Sequence, residues 1–285
     1  MFRFGAIGLT AALAVGMPLD GPVGYGGYDG SRDGRAVAVP ATSSVVDQRQ
    51  WEWKGRVDRG DLLEIKGING EIHASRASGN EVEVEAELRG KRSDPNSVEM
   101  VVLEHENGVT ICAVYPTPRG EDRENRCEPG SRGHMNVQKN DVQVDFVVRV
   151  PDGVNFRGST VNGDVEAHDI RADVKANTVN GGIDIYAAGV AEGTTVNGSI
   201  TVSMGQANWS GTLDFTTVNG SVTLEMPADL DCQVSIQTVN GNIQSDFPIT
   251  VEGRFSPRHL KGTIGNGGRK LVVKTVNGSV QLRRS

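Results

Sequence analysis

From residue 151 onward, apolar and polar positions alternate in short runs, and each run keeps a fixed distance from a Thr-Val-Asn-Gly motif. The motif occurs six times, beginning at Thr160, Thr178, Thr195, Thr217, Thr238 and Thr275. Four positions before the threonine stand Phe156, Val174, Ala191, Leu213, Val234 and Leu271, and two before it Gly158, Ala176, Gly193, Phe215, Ile236 and Val273. Five positions after it come Val165, Ile183, Ile200, Val222, Ile243 and Val280, and seven after it Ala167, Ile185, Val202, Leu224, Ser245 and Leu282. Period-two alternation on both sides predicts two short strands per copy, each with one buried face. The inward parity changes at the motif, so the chain must turn a corner there. The pairs Asn162-Gly163, Asn180-Gly181, Asn197-Gly198, Asn219-Gly220, Asn240-Gly241 and Asn277-Gly278 are the expected turn residues, since both types accept positive φ.

An Asn-Gly between strands also fits a two-residue hairpin, and a sandwich of hairpins is the alternative architecture. The intervals of 18, 17, 22, 21 and 37 residues favour a stack. In stacked parallel coils, equivalent residues lie about 4.8 Å apart and form Thr and Asn ladders, which explains why the same residues recur. The last interval is about twice the others, and Thr263-Ile264-Gly265-Asn266-Gly267 inside it reads as an imperfect coil. An earlier echo is Ile68-Asn69-Gly70-Glu71-Ile72. The expected fold is therefore all-β, a β-solenoid (β-helix-like) of TVNG coils over residues 151–285 with an N-terminal β-layered cap over 46–150. The cap region alternates strongly but does not repeat, and Glu106-Asn107-Gly108 marks a hairpin in it. A cap covers an end edge that would otherwise template aggregation, and Arg283 and Arg284 would blunt the other end.

Residues 1–17 carry Arg3, an apolar run of about 14 residues and then Pro18. The run is short of the roughly 20 residues a spanning helix needs and reads as a secretory signal peptide. Ala12-Leu13-Ala14 and Ala36-Val37-Ala38 are both possible cleavage sites, and the Gly-rich stretch over 18–45 reads as a flexible linker. Export makes a disulfide possible. Cys112 and Cys127 flank a polar segment whose closure would contribute about 3 kcal/mol in the chain-entropy model. Metal binding by that pair is the weaker alternative, lacking CxxC or paired histidines. Cys232 lies in an alternating run and reads as a buried free thiol.

Aromatic residues are 5% of the chain and glycines number 37, a composition for frequent turns rather than an aromatic-centred enzyme core. A net charge of -7 with scattered basic residues disfavours nucleic acid. The five histidines, His73, His105, His134, His168 and His259, form no metal-spaced pair and read as ordinary surface residues. One acidic cluster merits weighing. Asp164, Glu166 and Asp184 fall at outward positions, and stacking would place Glu166 beside Asp184. Solvated surface charge is the plain reading; cation binding or acid-base hydrolysis by these three is the sharper one.

The TVNG repeats, Ile111-Cys112-Ala113-Val114-Tyr115-Pro116 and a Gly-Asn-Gly-Gly before the final TVNGSVQL together resemble the bacterial "putative adhesin" family of β-strand-repeat domains of unknown function, over residues 51–285. The resemblance implies an exported envelope or surface protein, β-helix-like, with no established catalytic residues. Cys232 departs from it, where a small apolar residue is usual. The expected function is a non-catalytic binding or adhesion module in the periplasm or at the cell surface, without a cofactor. Its ladders of Ser199, Thr201, Ser203, Ser221 and Thr223 would face an unidentified envelope polymer or protein. A structural spacer is the first alternative, and a carbohydrate-active or cation-binding protein using Asp164, Glu166 and Asp184 the second.

Overall fold

A strand with one apolar face must bury it against a second layer, and the TVNG repeats do so by placing their two strands in different sheets. The computed structural model describes residues 47–130, 133–253, 256 and 258–285; the leader expected over 1–17 and the linker over 18–45 lie outside the described residues. The repeats supply β8 (Asn155–Ser159) with β9 (Val165–Ile170), β10 (Val174–Asn177) with β11 (Ile183–Ala187), and β12 (Ala191–Thr194) with β13 (Ile200–Met204). They continue as β14 (Thr212–Thr216) with β15 (Val222–Met226), β16 (Cys232–Gln237) with β17 (Ile243–Ser245), and β20 (Arg269–Lys274) with β21 (Val280–Arg284). Between the last two lie β18 (Thr250–Val251) and β19 (His259–Ile264). Upstream stand β1 (Asp47–Gly55), β2 (Leu62–Lys66), β3 (Ile72–Arg76), β4 (Val82–Gly90), β5 (Glu99–His105), β6 (Gly108–Val114) and β7 (Gln143–Val150). Helix is confined, among the described residues, to one short 3-10 turn at Pro95–Ser97.

The protein is all-β, with two large, mostly parallel sheets. The first runs β1-β4-β7-β3-β9-β11-β13-β15-β21-β17 and the second β18-β19-β16-β20-β14-β12-β10-β8-β2-β6-β5. In every repeat the strand before the motif joins the second sheet and the strand after it joins the first. Neighbouring copies pair parallel and in register: Val165, Ile183, Ile200 and Val222 lie side by side, as do Phe156, Val174 and Ala191. Hairpins within repeats are thereby excluded. Val165, Ile200 and Val222 are fully buried and Ile183 is 2% exposed, so the core fills the space between the sheets as the alternation predicts. Antiparallel strands lie at the ends: β1, β4 and β7 in the first sheet, and the β5–β6 hairpin, turning at Glu106-Asn107, in the second.

Sequence order and stack order differ. The copy beginning at Thr275 is inserted between the fourth and fifth: β21 pairs with β15 on one side and β17 on the other, and β20 lies between β14 and β16. Identical corners let any copy stack on any other, so adjacency in the chain does not fix adjacency in the sheet. Two expectations are corrected by this. Thr263 and Ile264 are no coil but part of β19, antiparallel to β16, and Asn266 binds Asp231 through its N–H at 2.8 Å. Arg283 and Arg284 lie on an interior strand, opposite Glu225 and Met226, rather than on an edge. The echo at Ile68-Asn69-Gly70 is a rung of its own, because β2 pairs parallel with β8 and β3 with β9. Residues 62–76 thus lie inside the repeat stack.

A Cys112–Cys127 disulfide, with Cα atoms 5.8 Å apart, closes the polar loop, and that loop lies over the outer face of the second sheet. Its cover explains why β6 is buried on both faces and why Glu64 is only 1% exposed. Gly130 N–H donates to Glu64 at 2.8 Å, as does the Thr110 hydroxyl at 3.0 Å, and Lys66 Nζ donates to the Glu128 carbonyl at 2.6 Å. A buried carboxylate unpaired by such donors would be strongly destabilising. Cys232 is a buried free thiol, its pKa pushed up to about 12 by desolvation.

Candidate functional site

The corner uses nearly every polar atom it has. Each buried motif threonine donates its hydroxyl to the glycine carbonyl of the rung before it in the stack: Thr160 to Gly70 at 3.0 Å, Thr178 to Gly163 and Thr195 to Gly181 at 2.9 Å. Thr217 to Gly198, Thr275 to Gly220 and Thr238 to Gly278 follow at 2.8 Å. The asparagines form one unbroken ladder, each donating Nδ2 to the Oδ1 of its neighbour at 2.7 to 2.8 Å, in the order Asn69, Asn162, Asn180, Asn197, Asn219, Asn277 and Asn240. All these bonds point the same way along the stack.

The glycines answer to a different requirement from the one the turn chemistry suggests. Positive φ occurs at Gly70 (129°) and Gly163 (152°) but not at Gly181, Gly198, Gly220, Gly241 or Gly278, and at none of the motif asparagines. What excludes a side chain is the neighbouring rung. A Cβ on Gly181, Gly198, Gly220 or Gly278 would collide with the carbonyl of Gly163, Gly181, Gly198 or Gly220, and on Gly241 with that of Gly278. The valines face outward, with Val179, Val218 and Val276 each 37% exposed and Val239 47%.

Asp164, Glu166 and Asp184 do share the outer face of the first sheet, and Glu166 stands in register with Asp184. Asp164 and Glu166 are hydrogen-bonded to other groups, however, and Asp184 lies near a histidine. Asp164 Oδ1 accepts the Gly182 N–H at 2.7 Å, a bond that Ser199, Ser221 and Ser279 repeat for the N–H groups of Ser221, Ser279 and Asn242 at 3.2 Å. Position four after the threonine therefore holds a corner acceptor, and of the serines expected on display Ser199 and Ser221 are turned to it. Glu166 Oε2 lies 3.0 Å from His73 Nδ1, and Asp184 Oδ2 lies 3.6 Å from His168 Nε2. Histidines that look dispersed in sequence are thus brought to the acidic positions. Among the described residues, no group of three His, Cys, Asp or Glu side chains is arranged to hold a metal ion.

The outer face of the first sheet divides in two. Around β3, β9 and β11 it carries Glu71, His73, Asp164, Glu166, His168 and Asp184. Across β13, β15, β21 and β17 the row in register with Glu166 is uncharged: Thr201, Thr223, Gln281 and Gln244. On the second sheet a groove of about 630 Å³ runs past Asn155, Arg157, Lys175 and Glu192 to the loop carrying Trp209. Two ion pairs sit along it, Lys175 with Glu192 at 2.7 Å and Arg157 with Glu64 at 3.4 Å.

Fold and corner together define an all-β repeat protein whose motif serves the stack itself. The chain belongs to the Toastrack DUF4097 family, which matches residues 131–283, or 153 of its 285 residues. Among solved structures it is similar to a "putative cell adhesion protein" from Clostridium sporogenes ATCC 15579, at 10% identity and a TM-score of 0.41 over 83% of this chain and 100% of that one. It is also similar to a "putative adhesin" from Bacteroides fragilis NCTC 9343, at 10% identity and a TM-score of 0.27 over 82% and 97%. No curated protein matches. Among the described residues no helix is long and apolar enough to cross a membrane.

Proposed function

We propose that this chain is an exported, non-catalytic module of the envelope or cell surface, a β-solenoid of TVNG coils that engages an extended polymer or protein along the outer face of its first sheet. In this reading residues 151–285 form the repeat region and 46–150 the cap region, except that 62–76 leave the cap to form the first coil of the stack. The observation that carries it is the uncharged row Thr201, Thr223, Gln281 and Gln244, held in register on adjacent parallel strands and repeating about every 4.8 Å. Such a row matches a partner that is itself periodic. Asp164 is bonded to a backbone N–H and Glu166 to His73, which argues against an acid-base pair between either of them and Asp184.

Co-sedimentation of the purified chain with isolated envelope glycan and envelope protein fractions tests the reading. Retention is expected on one fraction, and the triple variant T201E/T223E/Q281E should reduce it about tenfold or more. Absence of retention on every fraction, or equal retention of the variant, overturns it. The second reading, a spacer that holds other parts apart, is favoured by the corner's polar groups being turned to bonds within the stack. A spacer would retain its role after those three substitutions.

A further inference from the structure

His73 stands where two rungs meet. It lies on β3, which follows Asn69, and faces Glu166 on β9, which follows Asn162. Its Nδ1 is 3.0 Å from Glu166 Oε2 and its Nε2 is 3.0 Å from Glu71 Oε2, so both ring nitrogens touch a carboxylate oxygen. A neutral imidazole has one N–H and one lone pair. It can donate to only one of these carboxylates and must present its lone pair to the other, whereas an imidazolium donates to both.

We propose that His73 is a proton-operated clamp on the seam between the first two rungs: as imidazolium it ties Glu71 to Glu166, and on losing its proton it must release one of them. The proton is taken up by the ring and given up to solvent, since His73 and both carboxylates are partly exposed.

The surrounding charges are already committed elsewhere. From β7, Val147 sits opposite His73, flanked by Asp145 and Arg149; Asp145 is held by Arg89, and Arg149 donates to the Ser75 hydroxyl. From β9, Asp164 caps Gly182 N–H and His168 leans toward Asp184. That leaves Glu71 and Glu166 to set the behaviour of the ring. Burial works against the charged ring, but the hydrogen bonds and charges of Glu71 and Glu166 outweigh it, and the pKa of His73 is raised above its ordinary 6.5. A raised folded value fixes the sign. The clamp's contribution is fully present below the ordinary histidine value and is lost as pH rises through the folded one. With the clamp open, Glu71 and Glu166 repel across the seam with no cation between them.

Imidazole resonances of the full chain, followed by NMR from acid to mildly alkaline pH, test this directly. The midpoint of His73 should lie above 6.5, with both ring nitrogens protonated below it. It should move down in E71Q/E166Q, whose native backbone spectrum reports folding, and the single variant E166Q should move it part of the way. Protection of the Ile72 N–H, which bonds the Asp164 carbonyl across the same seam at 3.0 Å, should fall above the midpoint in the wild type when exchange is referred to the intrinsic base-catalysed rate, and lose that step in H73Q. A wild-type midpoint at or below 6.5 overturns the clamp. So does a midpoint that neither glutamine variant shifts.

Discussion

The corner and the outer face lie a few residues apart in every repeat, yet they obey opposite rules. At the corner each copy carries the same Thr, Val, Asn and Gly, and three of the four are fixed by contact with the next rung. On the outer face the in-register row runs His73, Glu166, Asp184, Thr201, Thr223, Gln281, Gln244. Sameness marks the positions that build the stack, whereas in the varied row His73 and Glu166 bond each other and only the uncharged stretch from Thr201 to Gln244 is left for the proposed partner. The recurring motif is therefore a poor guide to the proposed binding face.

Substitutions should separate the two regions by size of effect. Gly198→Ala drives a methyl into the Gly181 carbonyl and should cost about 3 kcal/mol or more, measured by denaturant unfolding; a cost under about 1 kcal/mol would mean that the stack opens easily at the corner. Thr195→Val keeps the shape but leaves the Gly181 carbonyl without its donor, and a loss of about 1 to 2 kcal/mol is expected in the same measurement. On the face, the pair T201A/T223A should change stability by less than about 0.5 kcal/mol while weakening retention on the envelope fraction. Equal losses at corner and face would erase the distinction.

Much of this was legible from residue spacing. Inward positions such as Phe156, Ile183 and Leu224 follow from alternation, and the Thr and Asn ladders follow from repeated identity. Had Asn69 been aligned with the six other asparagines, His73 would have fallen in the row of Glu166 and Asp184, and the histidine beside the carboxylates would have been found. The burial of Glu64 could not be found that way, because the loop that covers it is irregular. Nor could the stack order. The copies at Thr217, Thr238 and Thr275 present the same corner, so nothing in their sequence says which pair touches, and an interval of 37 residues fits a missing coil as well as an excursion through β18 and β19. At the corner glycines turn chemistry suggests positive φ, whereas Gly181, Gly198, Gly220, Gly241 and Gly278 lack it and are instead closed to a Cβ by the carbonyl of the neighbouring rung.

The order of the rungs is the feature that distinguishes this arrangement most sharply from a simple sequential stack, and engineered cysteines read it out. Thr223 is in register with Gln281 on the adjacent strand, and Gln244 lies one strand further on. Neighbouring strands are about 4.8 Å apart, within reach of a disulfide, whereas a separation of two strands exceeds the roughly 7 Å limit. In a C232S background, T223C/Q281C should crosslink on mild oxidation and T223C/Q244C should not. Crosslinking of T223C/Q244C in place of T223C/Q281C would contradict the insertion of the last repeat between the fourth and fifth.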